Sequence, residues 1–326
     1  MLEIGSVQVS PGLLLAPMED VTDLPFRVVC KRLGADIVYT EFVNAEGLIR
    51  QARRARQKLR FLEAERPVGI QLYGAAELSM EKAAELAAAQ QPDLIDINCG
   101  CWVSDVALRG AGAGLLRDLP RMREVVWRVV RSTSLPVTVK TRLGWDAESI
   151  RIVEVARMLA DLGVQALAVH CRTRAQGHKG EADHSWIPRI KEAVSIPVIL
   201  NGDVVSPQEV ERAFASTGCD GVMIGRGAIQ NPWIFREARS FLETSRLLPP
   251  PSLRERAERC LEHLRLAVEH RGEAQALAAL RRHYSGYFRE LPGASRLRAE
   301  LAQCRQAGQV EERLLALAEA PASIAA

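Results

Sequence analysis

The pattern that most limits what this chain can become is an alternation repeated through residues 1–225. A short apolar run is followed by a polar residue or glycine, then by a stretch with helical spacing. The runs fall at 13–16, 36–39, 68–72, 94–97, 137–139, 166–169, 198–200 and 222–224, with helical stretches such as 78–90, 122–131 and 150–162 between them. Continuous apolar runs suit strands buried on both faces, as in a parallel sheet lined by helices. Strand–helix alternation gives either a doubly wound sheet or a barrel. Eight units in this length predict an α/β fold of the (β/α)₈ TIM-barrel class. No dinucleotide glycine fingerprint follows the first run, which counts against the doubly wound alternative.

Function in such a barrel sits at the C-terminal strand ends. Those ends supply Pro17 and Met18, Glu41, Gln71, Asn98 and Cys101, Lys140 and Arg142, His170 and Arg172, Asn201 with Gly202 and Asp203, and Gly225 with Arg226. Every run ends in something polar or conformationally special, which a purely structural barrel would not need.

The pattern changes after Asn231-Pro232, a favourable start for a helix. Pro249-Pro250-Pro251 reads as a stiff linker. Ser252 and Glu255 then form a capping box, and Gly272 ends the helix it opens. Leu277, Leu280, Tyr284 and Phe288 predict a second helix stopped by Pro292-Gly293, Ser295 opens a third, and 310–317 gives a fourth. The expected organisation is a catalytic barrel over 1–248 and an all-helical bundle over 249–326.

Seven scattered cysteines do not describe a disulfide framework, and a lone C-x-C without a spaced His makes a weak metal site, so no metal is expected. Cys30, Cys99, Cys219, Cys260 and Cys304 read as packing. The start MLEIGSVQVS lacks the basic and apolar regions of a signal peptide, and no apolar run reaches bilayer length. A cytoplasmic monomer with no membrane partner is therefore expected. The formal charge of +3 is mild, and only six of the 43 basic residues are lysine. Arginine suits planar phosphate contacts.

The strand-end segments carry a resemblance. APMEDVTDLPFR at 16–27, YTEFV at 39–43, GIQLYG at 69–74, DINCGC at 96–101, VTVKTRLGW at 137–145, HCRT at 170–173, PVILNGD at 197–203 and GVMIGRG with NPWIF at 221–235 resemble the tRNA-dihydrouridine synthases. The resemblance continues past the barrel through REARSFLETSRLLPP and RRHYSGYF, which look like the bacterial B-type branch. It implies a barrel carrying FMN, a C-terminal helical domain, NADPH as reductant and tRNA as substrate.

The residues fit that chemistry on their own terms. Saturating the C5–C6 bond of uracil needs a hydride at C6, which only a cofactor can supply, and a proton at C5. A thiol is a suitable acid, and by resemblance Cys101 is the proton donor. Lys140 is the cation implied for the flavin's pyrimidine edge, with a Schiff-base lysine as its rival role. Gln71, Pro17, Met18 and Glu19 are expected beside the flavin ring, and His170 beside flavin or substrate. Asn201, Gly202, Asp203, Gly225 and Arg226 follow the seventh and eighth strands, where these barrels grip phosphate; in isolation they would equally be turn residues. Glu41, Asn98, Arg142 and Arg172 are assigned to the substrate side. Arg50, Arg53, Arg54, Arg56, Lys58, Arg60, Arg281, Arg282 and Arg289 are candidate RNA contacts, or simply solvated helix faces.

Three positions depart from the family. Trp102 follows Cys101 where proline is usual, Ser104 replaces a lysine common in the B-type branch, and Cys171 stands where glycine is common. Trp102 could stack on a flipped base or plug the loop. The alternatives carried forward are a flavin barrel reducing a free small molecule, an RNA-binding barrel with altered chemistry, and a Lys140 Schiff-base lyase.

Overall fold

A computed structural model describes residues 1–319; residues 320–326, the end of the expected helical segment, lie outside the described residues. The strands are β1 (Leu2–Ile4), β2 (Val7–Val9), β3 (Leu13–Leu15), β4 (Val38–Tyr39), β5 (Val43–Asn44), β6 (Val68–Tyr73), β7 (Leu94–Cys99), β8 (Val137–Arg142), β9 (Ala166–His170), β10 (Val198–Asn201) and β11 (Gly221–Ile224). Eight of them follow one another in the order β3-β11-β10-β9-β8-β7-β6-β4, every pairing parallel. Closure comes at β3 and β4, where Leu14 bridges Ile37 and Leu15 N donates to Ile37 O at 2.9 Å. The expected barrel is the observed one.

The all-apolar runs now have their reason. Leu13, Leu15, Ile70, Ile97, Val139, Val169 and Leu200 face the surrounding helices, while Leu14, Tyr39, Leu94, Ala168, Ile199 and Met223 fill the interior. The antiparallel β1–β2 hairpin, unanticipated from the sequence, adds Leu2, Ile4 and Val7 to that interior cluster. The hairpin plugs the N-terminal end and leaves the C-terminal end open for a site.

Strand lengths shift where side chains compete with the ladder. In the run expected at 36–39 the regular strand starts at Val38; Asp36 N and Ile37 O already bond β3, while the Asp36 carboxylate accepts from Gly12 N (3.1 Å) and Leu13 N (2.8 Å) and binds Arg239 at 2.6 Å. β7 and β8 run longer than expected, to Cys99 and Arg142, and so carry Asn98 and Arg142 up to the barrel mouth.

Beyond the barrel, Ser252 accepts from Glu255 N at 3.2 Å to cap a helix over Leu253–Arg271, which ends at Gly272 with φ +80°. The second expected helix is broken into Glu273–Leu280 and Tyr284–Phe288. The cause is a close approach: a Cβ on Gly286 would lie 2.1 Å from Ile229 O, so the second piece is set by the barrel rather than by helical continuity. Helices Ala294–Gln303 and Ala307–Glu319 complete the chain as described. Val29, Leu33 and Trp233 join this bundle's core, which docks it against the flank of the helix Leu24–Arg32. Among the described residues no helix is long and apolar enough to cross a membrane.

Candidate active site

A cavity of about 320 Å³ opens at the C-terminal end of the barrel. It gathers Pro17, Met18, Glu19, Asn98, Cys101, Lys140, Arg142, His170, Asn201, Gly202, Asp203, Gly225 and Arg226, which are thirteen of the residues singled out from the sequence. Gln71, Glu41 and Arg172 do not line it.

Cys101 is held from below by a chain of hydrogen bonds through the barrel interior. Thr138 Oγ1 donates to Asp96 at 2.5 Å, Gln71 Nε2 donates to the other Asp96 oxygen at 2.6 Å, and Asn98 Nδ2 donates to Gln71 Oε1 at 2.9 Å. Asn98 Oδ1 then accepts from both Gly100 N (3.0 Å) and Cys101 N (2.8 Å). This fixes the turn after β7 and with it the thiol. Gly112, at φ +56°, packs so closely that a Cβ there would sit 2.8 Å from Cys101 Cβ. Burial raises the Cys101 thiol above its ordinary value, against a smaller downward pull from the Val103 backbone and Arg142. A group so placed holds its proton at neutral pH. Asp96, pushed up by burial to about 6, was not anticipated, although a carboxylate inside the apolar run at 94–97 was the available signal.

Arg142 is buried and spends its donors on backbone. It donates to Gly100 O at 2.9 Å, Thr173 O at 3.0 Å and Gly177 O at 2.9 Å, so it ties the Cys101 turn to the loop after β9. Arg172 does the same one layer away, binding Lys179 O at 3.2 Å, Gly180 O at 2.5 Å and Asp203 at 2.6 Å. Both arginines organise loops.

Lys140, with no acceptor or carboxylate partner among the described residues, is pulled down to about 8, first by burial and then by Arg142. His170 is lowered well below its ordinary value by burial and by Arg142, Lys140 and Arg172, so its imidazole is neutral. Lys140, Arg142 and Arg226 line the cavity with the neutral His170, while Glu19 is turned towards Lys58 and Arg54 and Asp203 is taken up by Arg172 and Arg226, which leaves the floor short of negative charge. An anionic guest would complete it.

The opposite wall is backbone. Gly202 takes φ +122°, which a side chain would strain, and Asp203 follows at φ +52°. A Cβ on Gly227 would lie 2.6 Å from Val204 O. Asn201 Nδ2 donates to Met223 O at 2.7 Å, locking β10 to β11. Burial pushes the Asp203 carboxyl up, but Arg172, Ala182 N–H and Arg226 outweigh it and hold it below the usual range. Arg226 thus reaches Asp203 at 3.2 Å while remaining half exposed.

Glu41 lies in a separate polar pocket with Asp20, Asp23, Arg53, Arg60 and Arg271, where its Oε1 accepts from Asp20 N at 2.7 Å. Glu19, Asp20 and Glu41 bring carboxylate oxygens within 4.8 Å of one another, with Lys58 and Arg54 as counter-charges. Arg282 donates to Asp20 O, and Arg289 pairs with Glu290 at 3.3 Å. Cys171 is buried core, its thiol pushed up by burial, and Cys99 is likewise.

His178 lines the cavity and was missed from the sequence, where it stands in an aperiodic loop. It meets the Trp102 ring edge-on at 5.3 Å and 79°.

The profile of the family described as dihydrouridine synthase (Dus) matches residues 14–322. The tRNA-dihydrouridine synthase B of Pseudomonas aeruginosa is 40% identical over 300 residues, covering 92% of this chain and 90% of that protein. The probable tRNA-dihydrouridine synthase 1 of Synechocystis is 39% identical, over 93% and 85%. Among solved structures, morphinone reductase in complex with tetrahydroNAD shares the fold at a TM-score of 0.54 and 13% identity, covering 77% of this chain and 91% of that one. The ordered match from the first barrel strand into the helical segment decides the matter: this chain belongs to the dihydrouridine synthase family.

Proposed function

We propose that this protein is a tRNA-dihydrouridine synthase that reduces the C5–C6 double bond of particular uridines, with FMN in the barrel mouth and NADPH as reductant. One observation carries the reading: a protonated thiol, Cys101, and a cation unpaired among the described residues, Lys140, share a single cavity. The residues fit a flavin phosphate. Lys140 has no counter-ion among the described residues, the Gly202, Gly225 and Gly227 turns line the cavity, and Arg226 stands beside them. Pro17, Met18, Lys140, His170, Asn201, Gly202, Asp203, Gly225 and Arg226 would hold the cofactor, with Gln71 supporting from beneath and Glu19 at the rim. Bound FMN supplies the hydride that uracil C6 requires.

The chain's own part is the proton. Cys101 Sγ–H donates to C5 as the C5–C6 π bond opens, and the thiolate regains its proton from solvent. Asn98 sets the thiol's position through two backbone N–H groups, and Arg142 steadies the transient thiolate. Arg142 and Arg172 therefore act on substrate through the loops they fix. The barrel over 1–248 would do the chemistry and the helices beyond 249 would dock the RNA; Arg53 and Arg60 on the barrel and Arg281 on the helices, without ion-pair partners among the described residues, would meet phosphate.

Flavin absorbance of the purified protein is the first test, and its absence after FMN is added would sink the proposal. Mass spectrometry of tRNA from a deletion strain should show lost dihydrouridine at defined positions, restored by the wild-type chain. Lys140's lowered pKa also suits Schiff-base chemistry; borohydride trapping of a carbonyl substrate would expose that rival.

A further inference from the structure

Extracting one base from an RNA strand leaves its neighbour with a bare face, and a protein that flips bases gains by offering that neighbour a new surface. The rim beside Cys101 has such a surface. Trp102 is 40% exposed and Val103 47% exposed, both lining the cavity edge. The indole is not loose. It rests on Gly177, where a Cβ would come within 3.1 Å of its ring, and His178 meets it edge-on. The loop after β9 covers one side of the indole and leaves part of the ring exposed to solvent.

Next to it lies a second feature that the flavin site does not use. Arg117 and Arg174 both stack on Trp145, at 4.9 Å and 4.5 Å. Neither makes an ion pair among the described residues. Arg174 donates only to Ser104 Oγ at 3.3 Å, and its Nε has no hydrogen-bond partner. Two guanidinium groups held over one indole are pre-positioned cations. Ser104, which Arg174 contacts, lies two residues after Trp102 in the chain.

We infer that Trp102 and the Arg117–Trp145–Arg174 stack form a subsite for the nucleotide adjacent to the target uridine. Trp102 stacks on that nucleotide's base, while Arg117 and Arg174 hold the backbone phosphate. The inference rests on the proposed function and deepens it: the tryptophan after Cys101 is a recognition residue rather than a plug.

Binding of an unmodified tRNA transcript, measured by fluorescence anisotropy across a salt series, tests it. Trp102→Ala should weaken binding roughly 5- to 150-fold, the range of one lost base stack, with the salt slope unchanged. Trp102→Phe, which keeps an aromatic face, should recover most of that loss. The double variant Arg117→Gln, Arg174→Gln should lower the slope of log K against log salt by roughly 0.7–0.9, the share of one phosphate. All three should retain flavin absorbance. If the wild type forms dihydrouridine but these variants bind with unchanged affinity and slope, the subsite is wrong and the enzyme reading stands. If Trp102→Phe fails as badly as Trp102→Ala, the indole is a loop plug and the inference falls. A wild type with neither flavin nor uridine reduction removes the parent reading, and the substrate subsite with it.

Discussion

The two walls of the cavity are held by different means. On the β10–β11 side the wall is backbone, with Gly202 at φ +122° and Gly227 pressed towards Val204 O. On the β7–β8 side it is side chains: Asn98 gripping two N–H groups and Arg142 clasping three carbonyls. A backbone wall is shaped by what is missing, so almost any Cβ spoils it. A side-chain wall fails one bond at a time. The anion-gripping half should therefore be brittle in fold, and the acid half brittle in chemistry.

The largest expected effect tests the acid half. Cys101→Ala should slow uridine reduction on the order of 10²–10⁴-fold, the usual cost of a lost general acid. Flavin absorbance should persist, because the other wall is untouched. Single-turnover reduction of tRNA measures the first and the visible spectrum the second. Loss of both together would erase the distinction between the walls. The raised Cys101 thiol adds a pH signature: activity should hold to a higher pH than an ordinary thiol permits, then fall as the thiol ionises.

Gly202→Ala probes the other wall. A side chain at φ +122° is strained, and the new Cβ would stand 3.0 Å from both Ala182 Cβ and His170 Cδ2. Destabilisation of about 2–3 kcal/mol is expected, with weaker flavin retention. Urea melts and flavin titration would show it. A stable variant with full flavin would mean that this wall is not glycine-limited.

Lys140 lies between the walls. Its pKa falls from 10.5 ordinarily to about 8 in the folded chain, burial being the main cause. Between those values the unfolded chain binds more protons than the folded one, so stability of the flavin-free protein should climb as pH rises through that window. Lys140→Met should abolish the climb and stabilise the flavin-free protein near pH 7 by on the order of 2 kcal/mol. The same variant should lose flavin affinity, since a bound anion favours the charged lysine. Melts of both proteins from pH 7 to 10.5 give the difference directly.

What could be read from the chain follows the same division. The eight strands were legible because burial on both faces leaves a continuous apolar signature, and twelve cavity residues followed from their place at strand ends, with Glu19 added by the resemblance. Tertiary commitments were not legible. Arg142 and Arg172 looked like substrate groups, yet loop carbonyls within the fold take up their donors. The break near residues 281–283 depends on Gly286 meeting Ile229, a contact with no local pattern. His178 reaches the cavity only because two arginines pin its loop, and Asp96 matters only through partners on β6 and β8.

Glu41 offers the smallest and sharpest of these contrasts. As a strand-end carboxylate it was expected to touch substrate, but the structure turns it away from the cavity. Its oxygen accepts Asp20 N–H at 2.7 Å, holding a turn where Asp20 takes φ +57°. Lys58 stands 3.9 Å away and keeps Glu19 as its nearer partner. Burial raises the Glu41 carboxyl above its ordinary value, against the opposing pull of Lys58 and the Asp20 N–H. Glu41→Gln retains an acceptor of the same shape, and its cost should stay below about 1 kcal/mol. Glu41→Ala should cost more, about 1–3 kcal/mol, because it orphans the Asp20 N–H. Paired melts and kcat/KM on tRNA separate the two roles. A steep loss of activity in Glu41→Gln with unchanged stability would return Glu41 to the substrate and extend the side-chain wall beyond the cavity.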